Sequence, residues 1–209
     1  WLAQLPLASL PASKAPAWVV VLAMLGVSVA LLPKAWPGAW LGWGLVLPAL
    51  FWRPTPLNTG EWRLHVLDIG QGSAVLIETA QHNYLFDAGV RRSLDSDEGA
   101  RTLVPYLHSL GKQRLDGLIL SHADLDHVGG ALSVLERIQV DRIYSSFDVA
   151  AYHEQELHRL SQTVTSFPAL PQALHVCPWG KEWEADGVRF QLYWPSATQY
   201  ESSHQQDKN

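Results

Sequence analysis

Cysteine is almost absent. Cys177 is the single one in 209 residues, which excludes an internal disulfide framework and a thiolate-rich zinc site. There is no basic excess either. Fifteen Lys and Arg against 20 Asp and Glu leave a formal net charge of −5, so nucleic-acid binding would have to rest on local patches or metal ions. Charge is scarcest at one end of the chain, where Lys14 and Lys34 are the only charged side chains between Trp1 and Phe51. Tryptophan is abundant in that same stretch, which holds Trp1, Trp18, Trp36, Trp40 and Trp43. The average composition describes neither part, and the pattern predicts two regions, 1–57 and 58–209.

The first region reads as membrane-associated. Residues 15–32, "APAWVVVLAMLGVSVALL", are uncharged and mostly apolar; as one helix they would rise roughly 27 Å, close to the roughly 30 Å hydrocarbon core. A shorter stretch, "GAWLGWGLVLPALFW" (38–52), carries Pro48, which would kink or cap a helix. "PKAWPG" (33–38) between them predicts a tight turn with Lys34 and Trp36 at an interface. A signal peptide fits poorly, with no initiator Met, no A-x-A-like site and a second apolar stretch following. Lys34 on one side against Lys14 and Arg53 on the other is too thin a bias to orient the hairpin. The start at Trp1 is expected to mark a piece of a longer membrane protein.

After the linker "RPTPLNTG" (53–60) the pattern changes. Strands are expected at 62–70, 74–79 and 83–89, a polar loop at "GVRRSLDSDEGA", and a helix over 101–111 ending on Gly111. A buried strand "LDGLILSH", a helix from "GGALSVLERI", a strand "VDRIYSS", a helix "AAYHEQELHRLSQT" and a late strand at 188–195 follow. A β-rich start followed by alternating elements indicates a layered α/β domain with mixed sheets.

"ILSHADLDHVGGA" (119–131) places two histidines and two aspartates between Ser121 and Val128, just after an apolar strand and just before a helix. A strand end feeding a helix is a common ligand position in α/β proteins. In a tight loop His122, Asp124, Asp126 and His127 can converge, and imidazole and carboxylate both bind divalent first-row metals. Gly129 and Gly130 allow close backbone approach. An Asp before a helix is also an ordinary N-cap, but that reading accounts for only part of the set.

"SHADLDHVGG" resembles the H-x-[HD]-x-D-H metal motif of the metallo-β-lactamase fold, and "LDIGQGSAVLIE" and "LFDAG" resemble its first strands in order and spacing. The version here is similar to the soluble domain of the ComEC/Rec2 competence proteins, in which that domain follows a polytopic membrane region that conducts single-stranded DNA. The resemblance is specific at 67–89 and 119–130 and weak over 140–209. It implies a metallo-β-lactamase-like αββα sandwich, truncated at its C-terminus and preceded by transmembrane helices. Ser73 stands where the family often has an acidic residue. The later ligands, a His and a bridging Asp, would lie beyond Asn209; His204, in a polar context, is not taken as one. The chain is therefore expected to carry half a metal site and to be inactive alone.

The activity the resemblance implies is metal-dependent hydrolysis of phosphodiester bonds in the DNA strand that is not transported. Two divalent ions are implied, Mn²⁺ or Zn²⁺, with Mg²⁺ a further option because Asp124 is a harder ligand than the His of many relatives. His122 and Asp124 would hold one ion, Asp126 and His127 the other, with Asp126 orienting the attacking water. Asp87 would steady the ligand loop; Asp68 invites the same reading, and turn-capping is the alternative for both. Implied partners are DNA, membrane lipid and other competence-machinery proteins. The implied location is the inner membrane, multi-pass, with the soluble domain on the outer or periplasmic face. Competing readings are a hydrolase of the same fold for another substrate, such as an RNA or small ester, and a non-catalytic DNA-guiding module.

Overall fold

The structure is a computed structural model that describes residues 15–33, 38–52, 55–160, 168–176 and 180–193. The expected interfacial pair Lys34 and Trp36, linker residues Arg53 and Pro54, Cys177 and His204 lie outside the described residues. Two compact units part between Thr55 and Pro56, with Leu107–Lys112 grouped with the first.

In the first unit α1 (Ala17–Ala30) starts behind Pro16, whose extended backbone occupies the N-cap. A 3₁₀ turn (Ala39–Leu41) leads into α2 (Gly42–Leu50), which contains Pro48. The two helices pack through glycine: a Cβ on Gly26 would lie 2.6 Å from the Gly42 carbonyl oxygen, and one on Gly42 only 2.3 Å from that of Gly26. The outer faces expose Trp18, Met24, Leu31, Trp43 and Phe51. The apolar run thus forms a 14-residue helix, with a rise of roughly 21 Å. Among the described residues no helix is long and apolar enough to cross a membrane.

The second unit is built on a six-stranded mixed sheet. β1 (Arg63–Val66), β2 (Val75–Glu78) and β3 (Asn83–Phe86) form an antiparallel meander. β7 (Gly117–Leu120), β9 (Arg142–Ser145) and β10 (Ala173–Val176) then add in parallel. The register lines up Leu76, Leu85, Leu118 and Ile143 across four strands, and all four are excluded from solvent. Burying each such side chain stabilises by roughly 1.5–3 kcal/mol, which is why the apolar runs pair in this register.

The opposite face carries Phe86, Ile119 and Tyr144 in the adjacent row. It is covered by the hairpin of β11 (Glu182–Ala185) and β12 (Val188–Gln191), through Trp183, Phe190 and Leu192. Trp183 stacks on Tyr144 at 4.9 Å between ring centroids. Asp186 in the hairpin turn pins it: its Oδ2 accepts from Thr79 Oγ1 and the Gln81 N–H at 2.6 Å each and from His82 Nδ1 at 3.0 Å. Those bonds hold the Asp186 carboxyl far below the ordinary carboxylate range, the Thr79 hydroxyl contributing most.

The expected helix over 101–111 is a π-type turn (Gly99–Leu103) running into α3 (Val104–Ser109), with Gly111 at φ 73 closing it as anticipated. The expected polar loop at 89–100 is instead a small hairpin, β4 (Arg91–Ser93) with β5 (Ser96–Asp97). It lacks an apolar face because ion pairs anchor it: Arg92 Nε donates to buried Glu98 at 2.7 Å, and Arg91 pairs with Glu156. Glu156 belongs to α6 (Val149–Leu160). The short β6 (Arg114–Leu115) and β8 (Gln139–Val140) pair outside the main sheet.

Candidate metal centre

β3 and β7 are parallel neighbours with Phe86 opposite Ile119, so Asp87 falls opposite Leu120 and within reach of Ser121 at the carboxyl edge of the sheet. β7 is buried along its whole length, which fixes where the loop begins. The loop ends in two short helices, α4 (Leu125–Val128) and α5 (Ala131–Arg137). Asp124 holds the N-cap position of α4, yet its side chain makes no capping hydrogen bond.

Backbone contacts clamp this loop. The Ala88 N–H donates to the His127 carbonyl at 2.7 Å, and Gly130 N–H to that of Gly89 at 3.2 Å. The Ser73 N–H donates to the Asp126 carbonyl at 3.4 Å, while Gly89 N–H donates to that of Ser73 at 3.0 Å. Ser73 thus acts through its main chain, bracing the ligand loop against the strand β3 exit. Side chains are excluded at the crossings. A Cβ on Gly72, at φ 96, would lie 1.8 Å from the Asp126 carbonyl oxygen, one on Gly129 2.1 Å from Arg91 N, and one on Gly130 2.3 Å from Ala88 O. The glycine pair expected to keep the site uncrowded therefore seats the loop on its neighbours.

Within the clamp, His122, Asp126 and His127 each bring a ligand atom, all within 4.8 Å of one another. Their side chains are 45%, 33% and 21% exposed, so the donors open to solvent from a buried base. That base is Asp87, fully buried and held at φ 56. Left-handed backbone is uncommon outside glycine but open to Asp, and here its hydrogen bonds offset the cost. The Asp87 N–H donates to the Ile119 carbonyl at 2.8 Å, its Oδ1 accepts the Ser121 N–H at 2.8 Å, and its Oδ2 accepts from His127 Nδ1 at 2.7 Å. A histidine tied down through Nδ1 presents Nε2 as a fixed ligand. Ser121 Oγ stands 2.9 Å from Asp87 Oδ2 and 2.9 Å from His122 Nδ1.

This donor set fits a divalent ion: two imidazoles anchored on the nitrogens that face the protein, plus a carboxylate, leaving open positions. Members of both expected pairs are neighbours, His122 Nε2 with Asp124 Oδ2 at 3.5 Å and His127 Nε2 with Asp126 Oδ2 at 3.6 Å, and His122 also clusters with Asp126 and His127. Asp124 is 77% exposed with Oδ2 3.5 Å from His122 Nε2, outside the three-donor group. Asp68 also stands apart; exposed, it accepts the Gly70 N–H at 3.2 Å and caps that turn. Sequence reasoning assigned nothing to Ser121 or Gly72. The hydroxyl next to the first histidine was a signal for Ser121, and the Q-G turn one for Gly72.

Residues 67–192 match the family described as the metallo-beta-lactamase superfamily, and the chain belongs to it. Its relatives include competence proteins, as the motif similarity to ComEC/Rec2 led one to expect. It is 32% identical over 187 residues to competence protein ComA of Neisseria gonorrhoeae, spanning 87% of this chain and 22% of ComA. It is 29% identical over 150 residues to recombination protein 2 of Haemophilus influenzae, spanning 71% and 16% of the two chains. With ComE operon protein 3 of Bacillus subtilis it shares 32% identity over 100 residues, 42% and 13% of the chains. The chain thus spans about a fifth or less of the length of these relatives.

Proposed function

We propose that the chain belongs to a DNA-uptake system of the membrane and supplies its metal-dependent hydrolase, which cleaves phosphodiester bonds of the strand that is not transported. The observation carrying this is the convergence of His122, Asp126 and His127 over the buried Asp87, together with similarity to competence proteins over most of the chain. A divalent ion bound there would stabilise charge on the phosphate and make water acidic enough to attack at neutral pH. The side chains divide the remaining work. His122, His127 and Asp126 would hold the ion, and the Asp126 carboxylate would also accept a hydrogen bond from the attacking water and aim it. Asp124 is near enough to His122 to join as a further carboxylate ligand, which favours Mn²⁺ relative to an all-imidazole set. A second ion would need donors additional to this cluster.

The head of the chain supports a place in the inner membrane; the soluble domain is assigned to the outer or periplasmic face because that is where the strand to be degraded would arrive. An apolar helix pair with Trp18, Trp40 and Trp43 exposed suits lipid better than water. Co-flotation of the chain with phospholipid vesicles, abolished when residues 15–52 are removed, is the expected result.

The activity is tested on the natural protein that carries this chain, metal-stripped and reloaded with one ion at a time, against labelled linear duplex and single-stranded DNA. Cleavage should require Mn²⁺ or Zn²⁺ and be lost in His122→Ala and Asp126→Ala. Asp124→His should remain active with a higher ratio of Zn²⁺ to Mn²⁺ activity. Metal binding and DNA binding without cleavage would overturn the hydrolase reading in favour of a DNA-guiding module.

A further inference from the structure

Ser121 touches both Asp87 and His122 yet has no place among the metal donors. An ionised carboxylate only accepts hydrogen bonds. Asp87 Oδ2 therefore needs a hydrogen from each of its partners, His127 Nδ1 at 2.7 Å and Ser121 Oγ at 2.9 Å. A serine hydroxyl has one hydrogen, and this bond consumes it. Toward His122 Nδ1, 2.9 Å away, Ser121 Oγ can then only accept. His127 Nδ1 lies farther from Ser121, at 3.4 Å, and is already committed to Asp87. Neutral His122 must accordingly carry its proton on Nδ1 and leave the Nε2 lone pair bare.

We infer that Ser121 is a positioning residue that passes the acceptor demand of the buried Asp87 on to His122, so that one carboxylate sets the tautomer of both imidazoles. Asp87 acts directly on His127 and through one hydroxyl on His122. Which ring nitrogen is protonated is set by the hydrogen bond the other makes; without Ser121 Oγ, the His122 proton has no acceptor holding it on Nδ1. The backbone helps fix the relay. Ser121 N–H is bound to Asp87 Oδ1, and the Ser121 carbonyl accepts from Ser146 Oγ, so the hydroxyl pivots on an anchored residue.

The inference rests on the metal-centre reading only for what the bare nitrogen is for; the tautomer can be read without metal, DNA or activity. The experiment is ¹⁵N NMR of histidine rings in the metal-free 209-residue chain labelled at histidine, at a pH where the rings are neutral, with signals assigned through His122→Ala and His127→Ala. In the parent both rings should show protonated Nδ1 and bare Nε2. In Ser121→Ala, His122 should lose that bias while His127 keeps it, which also shows the loop intact. Ser121→Thr, which retains a hydroxyl, should restore it. Zinc affinity by equilibrium dialysis should fall about tenfold in Ser121→Ala and stay within about threefold in Ser121→Thr. The relay is overturned if His122 keeps its Nδ1 proton in Ser121→Ala, if both rings change together, or if Ser121→Thr behaves as the alanine variant. Parental tautomers as described but no zinc binding would count against the metal reading alone.

Discussion

The Asp87 carboxylate, wholly buried, accepts a 2.7 Å hydrogen bond from Nδ1 of His127, forty residues further along the chain. The pairing leaves Nε2 of that imidazole 3.6 Å from Asp126 Oδ2, in the cluster that also includes His122. Asp87 meets no solvent and belongs to the base of the site, so its contribution to metal binding is indirect. Partners of this kind typically govern metal affinity by about 10–100-fold. Asp87→Ala should therefore weaken zinc binding by about tenfold or more, measured by equilibrium dialysis on folded protein. Affinity within about twofold of the parent would remove Asp87 from the design.

A second carboxylate tests how the hairpin of β11 and β12 is fastened. The Asp186 carboxyl is held far below its ordinary range, first by Thr79, then by His82 and the Gln81 N–H. Its folded-state pKa is depressed, so the stabilisation it provides is fully present above the unfolded value of about 4 and drains away as pH falls below that. Asp186→Asn should lower the urea midpoint at pH 6, and the gap between parent and variant should narrow progressively from pH 5 toward pH 2. A gap that stays constant over that range would show that the ionised form plays no special part.

The ion pair under α6 is a different case because both partners are buried. Glu156 is 1% exposed and Arg91 7% in their side chains, with Arg159 Nη1 2.8 Å from the other Glu156 oxygen. Burial, reinforced by the Glu156 charge, pushes the nearby Tyr152 hydroxyl up to about 12. Truncating one member strands the other charge in a dry setting, at a cost of about 3–5 kcal/mol. Glu156→Ala should lose that much in chemical denaturation, and the Glu156→Ala/Arg91→Met double variant should recover part of it. Additive losses would mean that the two residues do not act as a pair.

The ligand loop was legible from sequence because its chemistry is contiguous: four donors lie between Ser121 and Val128, behind a strand and ahead of a helix. Asp87 was legible as a supporting residue through its "FDAG" context, though only the fold shows that it holds His127. The contact of Gly72 with Asp126 was hidden, since it joins residues far apart in sequence through backbone alone. The hairpin at 91–97 was missed for a physical reason. Its side chains are fastened by ions, Arg91 to Glu156 and Arg92 to Glu98, so it lacks the alternating apolar pattern that marks a half-buried strand. β10 is a four-residue strand that becomes visible only through its parallel pairing with β9. β11 did carry a signal that was passed over: Asp186-Gly187, both at positive φ, is a two-residue hairpin turn between Ala185 and Val188.

The central claim, that His122, Asp126 and His127 form a divalent-metal centre, is tested most directly by titrating the metal-stripped 209-residue chain with Zn²⁺ and Mn²⁺ while following bound metal by equilibrium dialysis. Saturable binding of about one ion per chain is the expected result, because the three donors gather around a single point. That binding should weaken at least about tenfold in His127→Ala and Asp126→Ala. Equal binding by the parent and these two variants, or no binding by a folded parent, would contradict it.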